Sequence, residues 1–387
     1  MSAIDQLLRS RKLLVCVGPG GVGKTTVAAA LGVRAAQLGR RTLVLTIDPA
    51  RRLITTLGLD ELGDAYRPIP LGDLGGEAPL YAAMLDPGAS FDALVGRVAT
   101  DEEHRSRILD NRVYRLMSRA FGNAHAYVAM ERLYDATASD EFDLVILDTP
   151  PTRNALDILD APGRLLAFLD ERVIGWLLRQ PPEGLRGRLL ARGGAAARSL
   201  LSLLAGDTLV DELAAFLELF VSLRPGFQER AVAVQERLRA PETAFALVTS
   251  PLADNLADAT YLRDGLAGRG VVLRALIVNR AYVPLGEHPW SASPEARSFE
   301  DALQLLAPSS EEERAGLSAL LGHISALRRR IADGNCRAHE AALTFASGAP
   351  RGCLKVQAPN LDHEPLDRRA LAGLAALLAD PRAQLDR

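Results

Sequence analysis

Residues 13–26 read Leu-Leu-Val-Cys-Val-Gly-Pro-Gly-Gly-Val-Gly-Lys-Thr-Thr. The run Leu13–Val17 is apolar at every position, as a strand covered on both faces must be. A glycine-rich turn follows, and Gly18, Gly23, Lys24 and Thr25 satisfy the spacing G-x-x-x-x-G-K-[ST] of a phosphate-binding loop. Without Cβ atoms in the way, the backbone N–H groups of Gly20, Gly21, Val22 and Gly23 can turn toward one anion. The helix expected to begin beside Gly23 adds the positive end of its dipole, with Thr25 and Thr26 in its first turn. Lys24 is placed to reach the β- and γ-phosphates, and the Thr25 hydroxyl to coordinate Mg²⁺.

The rest of the chain fits a sheet built around that loop. Continuous apolar runs at Thr42–Ile47, Leu80–Leu85, Leu144–Leu147, Ala244–Thr249, Val271–Val278 and Cys353–Val356 read as further buried strands. Helical patterns at Lys24–Leu38, Leu252–Leu266 and Pro365–Leu378 follow several of them. The alternation predicts an α/β fold, a doubly wound and mostly parallel sheet of the P-loop NTPase kind. Residues 86–140 and 156–240 show helical periodicity and no convincing strand. They predict an all-helical subdomain inserted into a sheet domain made of residues 1–85, 141–155 and 241–387. Thr208, Asp211 and Glu212 open one helix of that insert, which stops near Leu223 before Pro225-Gly226. Such helices serve either as plain core or as the walls of an apolar groove for a client. Residues 281–298 read as an irregular loop, and 311–331 as a charged, exposed helix.

Composition narrows the function classes. Of the 387 residues 48% are apolar but only 5% aromatic, so Leu and Ala carry the core, which favours helices over an all-β fold. The net charge of −3 supplies no bulk attraction to nucleic acid. No uncharged apolar stretch reaches membrane-spanning length, so contact with a membrane would be peripheral at most. Residues 1–11 lack an apolar signal region, and the expectation is a cytoplasmic protein. Cys16, Cys336 and Cys353 form no CxxC spacing, which points to a reducing compartment without a zinc or iron–sulfur site.

Three more stretches bear on the site. Phe142–Asp148 is an apolar strand ending in a carboxylate, followed by Thr149-Pro150-Pro151-Thr152. Asp148 would stand beside the phosphate loop as an acid holding Mg²⁺ through water. Asp48 ends the second strand, before Pro49. It either orients or deprotonates an attacking water near the γ-phosphate, with Mg²⁺ at the same place, or caps a helix opened by Asp-Pro. Asn279 ends another strand, where its amide offers both donor and acceptor to a base edge or serves turn chemistry. Pro359 follows the last strand and would border the base pocket.

With these pieces in order the chain resembles the ArsA-type ATPases. That family includes the arsenite-pump ATPase and the ATPase that delivers tail-anchored membrane proteins, within the dimeric class of ParA, MinD and the nitrogenase iron protein. The stretches that carry the resemblance are Gly18–Thr26, Asp48-Pro49-Ala50, Asp148–Thr152 and Val278-Asn279. The resemblance implies ATP in preference to GTP, with Lys24 and Asp48 as catalytic residues. Asp48 becomes the water-activating residue of a first switch and Asn279 the adenine contact. A bacterial single-unit branch of the family is the nearest likeness.

The chain also departs from the family pattern. Pro19 stands where the family usually has a second lysine that reaches a dimer partner's phosphates. Slow hydrolysis, replacement by Arg51, Arg52 or Arg153, or a heterodimer whose partner holds the lysine would each follow. Arg153-Asn154 replaces a common Gly-His, and the metalloid cysteines and the zinc clasp have no counterpart. The expected activity is therefore Mg-dependent ATP hydrolysis by a homodimer or a heterodimer with a related ATPase. Nucleotide state would control a client-binding helical subdomain. A regulatory nucleotide-binding subunit with little turnover is the alternative.

Overall fold

A computed structural model describes residues 2–47, 53, 57, 59, 63, 65–85, 101–111, 114, 124–151, 153–168, 225, 226, 228–282, 310–361 and 367–385. Among the described residues eight strands are formed: β1 Leu13–Val17, β2 Thr42–Thr46, β3 Arg67–Ile69, β4 Leu80–Met84, β5 Leu144–Asp148, β6 Thr243–Thr249, β7 Leu273–Ala281 and β8 Leu354–Pro359. They make one sheet in the order β3-β4-β2-β5-β1-β6-β7-β8. Neighbouring strands run parallel except β3, which lies antiparallel on β4 at the edge. The fold is the P-loop NTPase α/β fold.

β3 was not legible in the sequence. It has three residues, one of them Pro68, and proline is tolerated in a strand only where no ladder bond is needed on that side. The other strands fall where continuous apolar runs predict them, within a few residues at each end. The largest differences at an end are at β7, which runs on past Val278 to Ala281, and at β8, which runs on past Val356 to Pro359.

Among the described residues the helices are α1 Ala3–Ser10, α2 Lys24–Gln37, α3 Glu102–Leu109, α4 Ala124–Ala138, α5 Arg153–Phe168, α6 Ala253–Gly268, α7 Glu311–Ser347 and α8 Arg368–Ala379, together with a helical stretch at 228–239. Side chains alternate across each strand, so the sheet buries two cores. One face of β1 presents Leu14 and Cys16 to α1, α2 and α8. The other presents Leu13, Val15 and Val17 to residues of α4, α5, α6, the 228–239 helix and the last turns of α7. Helices on both faces make the sheet doubly wound. Each large apolar side chain buried this way stabilises the fold by about 1.5–3 kcal/mol.

α1 is a second element missed in the sequence. Ser2 accepts a hydrogen bond from the Asp5 N–H at 3.1 Å, and the Asp5 carboxylate accepts from the Ser2 N–H at 3.3 Å, which closes a capping box. Arg34 of α2 donates to both Asp5 oxygens, at 2.8 and 3.0 Å, and ties the helix down. The helix expected at 311–331 is α7. It continues to Ser347, where Phe345 and Ala346 anchor it, while most of its first two-thirds is exposed. The helix expected after Thr208 and most of the loop expected at 281–298 lie outside the described residues.

Candidate nucleotide site

β1 marks the place where the winding reverses. The β1–α2–β2 connection leads to one side of it, whereas β6 pairs on the other. Open α/β sheets bind ligands at the carboxyl ends of their strands at such a reversal. The glycine loop occupies that position.

Two of its glycines are required by geometry. A Cβ on Gly18 would lie 2.0 Å from the Val248 carbonyl oxygen, because the chain leaves β1 pressed against the end of β6. Gly23 adopts φ +86°, a left-handed conformation that turns successive N–H groups to one side, and a Cβ there would lie 2.5 Å from the Asn279 Nδ2. Gly20 sits against Pro151, with 3.6 Å between its ideal Cβ and the proline's, so the segment after β5 borders the loop directly. Gly21 also has a positive φ, +75°, and Val22 is buried. α2 starts at Lys24, and Thr26 on its first turn is half-buried.

The polar core of the site is a carboxylate held by two hydroxyls. Asp148 is 0% exposed. Its Oδ2 accepts from Thr25 Oγ1 at 2.7 Å and from Thr46 Oγ1 at 2.9 Å. Strand register produces the second bond, since Thr46 and Cys16 both stand opposite Asp148 on its two neighbouring strands. Lys24 is 7% exposed, and its Nζ donates to the Pro19 carbonyl at 2.7 Å. Thr149 Oγ1 donates to the Cys16 carbonyl at 2.8 Å and fixes the start of the segment after β5. At the far side Asn279 is 7% exposed, and its Nδ2 donates to the Val22 carbonyl at 2.8 Å. Pro359 closes β8 opposite Ala281.

The structure thus brings Gly20–Thr26, Asp148 and Asn279 around one loop, with Pro359 at the end of the neighbouring strand. Asp48, Arg51 and Arg52 lie outside the described residues, as do the side chains of Arg153 and Asn154. Thr46 was missed in the sequence reading, although a threonine ending the otherwise apolar strand Thr-Leu-Val-Leu-Thr was a usable signal. Its role depends on register, which no single strand reveals.

The donor set suits a hard cation. Hydroxyl and carboxylate oxygens meet where the loop's N–H groups gather, and Mg²⁺ takes few protein oxygens alongside phosphate and water. Cys16 lies fully buried opposite Asp148. Burial pushes its thiol far above the ordinary range, the Asp148 carboxylate pushes it further, and Lys24 only partly opposes them.

Comparison with known proteins points the same way. Residues 11–179 match the family model described as Anion-transporting ATPase. The chain is 27% identical over 331 residues to ATPase GET3B of Arabidopsis thaliana, covering 80% of this chain and 74% of that protein. These likenesses are to ArsA-type ATPases. The chain is also 30% identical over 279 residues to an uncharacterized protein of Streptomyces coelicolor, across 70% of its own length and 62% of the relative's. To the arsenical pump-driving ATPase of Escherichia coli it is 28% identical over 185 residues, 44% of this chain and 29% of that one. It therefore spans about three quarters of the first relative but less than two thirds of the other two. Its enzyme class is ATPase. Among the described residues of this ATPase, no helix is long and apolar enough to cross a membrane.

Proposed function

We propose that this ATPase is a dimeric switch that binds ATP with Mg²⁺, hydrolyses it slowly or with a partner's help, and uses nucleotide state to control a helical client-binding subdomain. The observation that carries this reading is the convergence of the Thr25 and Thr46 hydroxyls on the buried Asp148 carboxylate beside the glycine loop.

The loop N–H groups and Lys24 hold the phosphates, and Asn279 with Pro359 borders the adenine. Thr25 and Asp148 would hold Mg²⁺, the aspartate through water, with Asp48 nearby, and the ion would supply neutralisation of phosphate charge. Asp48 orients the attacking water and takes its proton. The segments after β2 and β5 take one arrangement with the γ-phosphate present and are released without it. The Asp148–Thr149–Pro151 stretch, tied to β1 and touching the loop, supports this role.

The helical segments 86–140 and 156–240, with the Leu- and Ala-rich stretch 165–223 among them, form the client-binding subdomain, and the client is an apolar protein segment in the cytoplasm, not a nucleic acid. The ATPase works as a homodimer or as a heterodimer with a related chain. A second reading is favoured by Pro19. Its side chain supplies no charge to a partner's phosphates, so a regulatory subunit that binds nucleotide with little turnover is the alternative.

The test is solution mass with and without Mg²⁺-ATP, alongside phosphate release. Dimerisation on ATP with turnover supports the switch, and loss of that turnover in Asp48→Asn assigns the water-activating role. A monomer that binds ATP without releasing phosphate supports the regulatory reading. A chain that binds no ATP ends both.

A further inference from the structure

Asn279 stands in an unusual stretch of β7. The pairing of β7 with β8 shifts between Val278 and Ala281: Val278 faces Gln357, but Ala281 faces Pro359, so β7 carries one extra residue. Arg280, inside that bulge, has φ +55°, and no other described non-glycine residue has a positive φ. β6 pairs with β7 only as far as Val278, so nothing of β6 stands opposite Asn279. A bulge with one left-handed residue re-aims the neighbouring side chain. Here it sends the Asn279 amide past the end of β6 to the Val22 carbonyl, 2.8 Å away and buried.

We infer that Asn279 is a positioning residue for the phosphate loop: its amide sets the plane of the Val22–Gly23 peptide, and so the direction in which the Gly23 N–H points. The reason is peptide geometry. Across a trans peptide the C=O and the following N–H point in opposite directions. A donor that holds the Val22 oxygen on the β7 side therefore turns the Gly23 N–H to the opposite side. Gly23 is tuned to this neighbour, because its left-handed φ and its missing Cβ leave the space that the Asn279 amide fills. The same peptide opens α2, so the N–H concerned sits where the helix dipole favours an anion. Asn279 thus acts on phosphate through backbone, whatever it also does for a base. The inference rests on reading the loop as the phosphate site.

The experiment uses the full chain and two ligands, ATP and inorganic tripolyphosphate, which has no base, each titrated calorimetrically with Mg²⁺. Asn279→Asp keeps the shape but removes the donor, and Asn279→Ala removes both. Affinity for tripolyphosphate should fall about tenfold or more in each, with a similar factor for ATP, because the loss resides in the loop. The ligand-free melting temperature should fall by no more than a few degrees, the cost of leaving the buried Val22 carbonyl without its donor. The Gly23 amide resonance, followed with isotope-labelled glycine, should shift in Asn279→Asp before ligand is added, while that of Gly75 stays. Unchanged tripolyphosphate affinity with weakened ATP binding would overturn the inference and leave Asn279 as a base contact only. A lowered melting temperature with an unmoved Gly23 resonance would also overturn it. No tripolyphosphate binding by the unaltered chain would remove the phosphate-site reading itself, and the inference with it.

Discussion

The two edges of the sheet handle charge in opposite ways. At the carboxyl edge, Asp148 is enclosed by Thr25 and Thr46, and Lys24 lies folded into the loop beside it. At the amino edge of the same strands the charges are arginines lying over the surface. Arg40 donates to the carbonyls of Leu8, Arg11 and Asp143, and Arg41 pairs with the Asp143 carboxylate at 2.9 Å. Hydrogen bonds to Arg41 hold Asp143 below the usual carboxylate range, although both groups are exposed. A buried carboxylate is costly unless hydroxyls or a cation answer it. Asp5, also buried, is answered by the Arg34 cation, whereas Asp148 is answered only in part, by hydroxyls beside the glycine loop, which marks it as a candidate for chemistry. An exposed pair works in high dielectric and contributes little to either stability or activity.

That contrast can be broken at several points. The largest effect belongs to Lys24→Ala, which should lower phosphate release by about two orders of magnitude or more while leaving the melting temperature nearly unchanged. A variant that retained turnover would place the chemistry elsewhere. Thr46→Val comes next. It strips one donor from a buried carboxylate without changing side-chain volume much, and should cost about 1.5–3 kcal/mol in urea unfolding, with a parallel loss of turnover. An unchanged unfolding midpoint would mean that the Thr46 bond adds nothing.

The third test is a pH dependence at the amino edge. Burial pushes Asp5 upward, but the hydrogen bonds and charge of Arg34, with the Ser2 cap, outweigh it and hold Asp5 below its ordinary value. A carboxylate lowered by folding adds stability that is complete above its unfolded value of about 3.9 and fades as pH falls toward its folded one. Asp5→Asn should therefore be less stable than the unaltered chain at neutral pH, with the difference closing below about pH 4. A difference independent of pH would mean that the helix cap, not the ion pair, matters. The smallest effect is expected of Arg41→Ala, which should leave both turnover and melting temperature within error. A several-fold drop in phosphate release would show that the two edges are coupled.

Much of this was readable in advance because the local signals were strong. The glycine loop between a strand and a helix, Asp148 at the end of an apolar run and the buried strands all depend on short stretches whose composition admits few alternatives. β3 escaped because three residues with a proline have no periodicity, and its support comes from the β4 ladder and the burial of Ile69. α1 escaped because its cap and its partner Arg34 are separated by most of α2. Asn279 was legible as a polar residue ending a strand. Its bond to Val22 was not, since it spans 257 positions in the chain and depends on a bulge that an apolar run does not disclose.

The amino-acid sequence by itself determined the glycine loop, the strand and helix that flank it, and a carboxylate at the end of a second buried strand. Each follows from steric and solvation rules acting within a dozen residues. Only the tertiary structure decided that Thr46 and Thr25 share one oxygen of Asp148, that Gly18 has no room for a Cβ against β6, and that Asn279 reaches the loop. These depend on the register of parallel strands that are neighbours in space and far apart in the chain. Register is set by the packing of both faces of the sheet at once, which no single segment encodes.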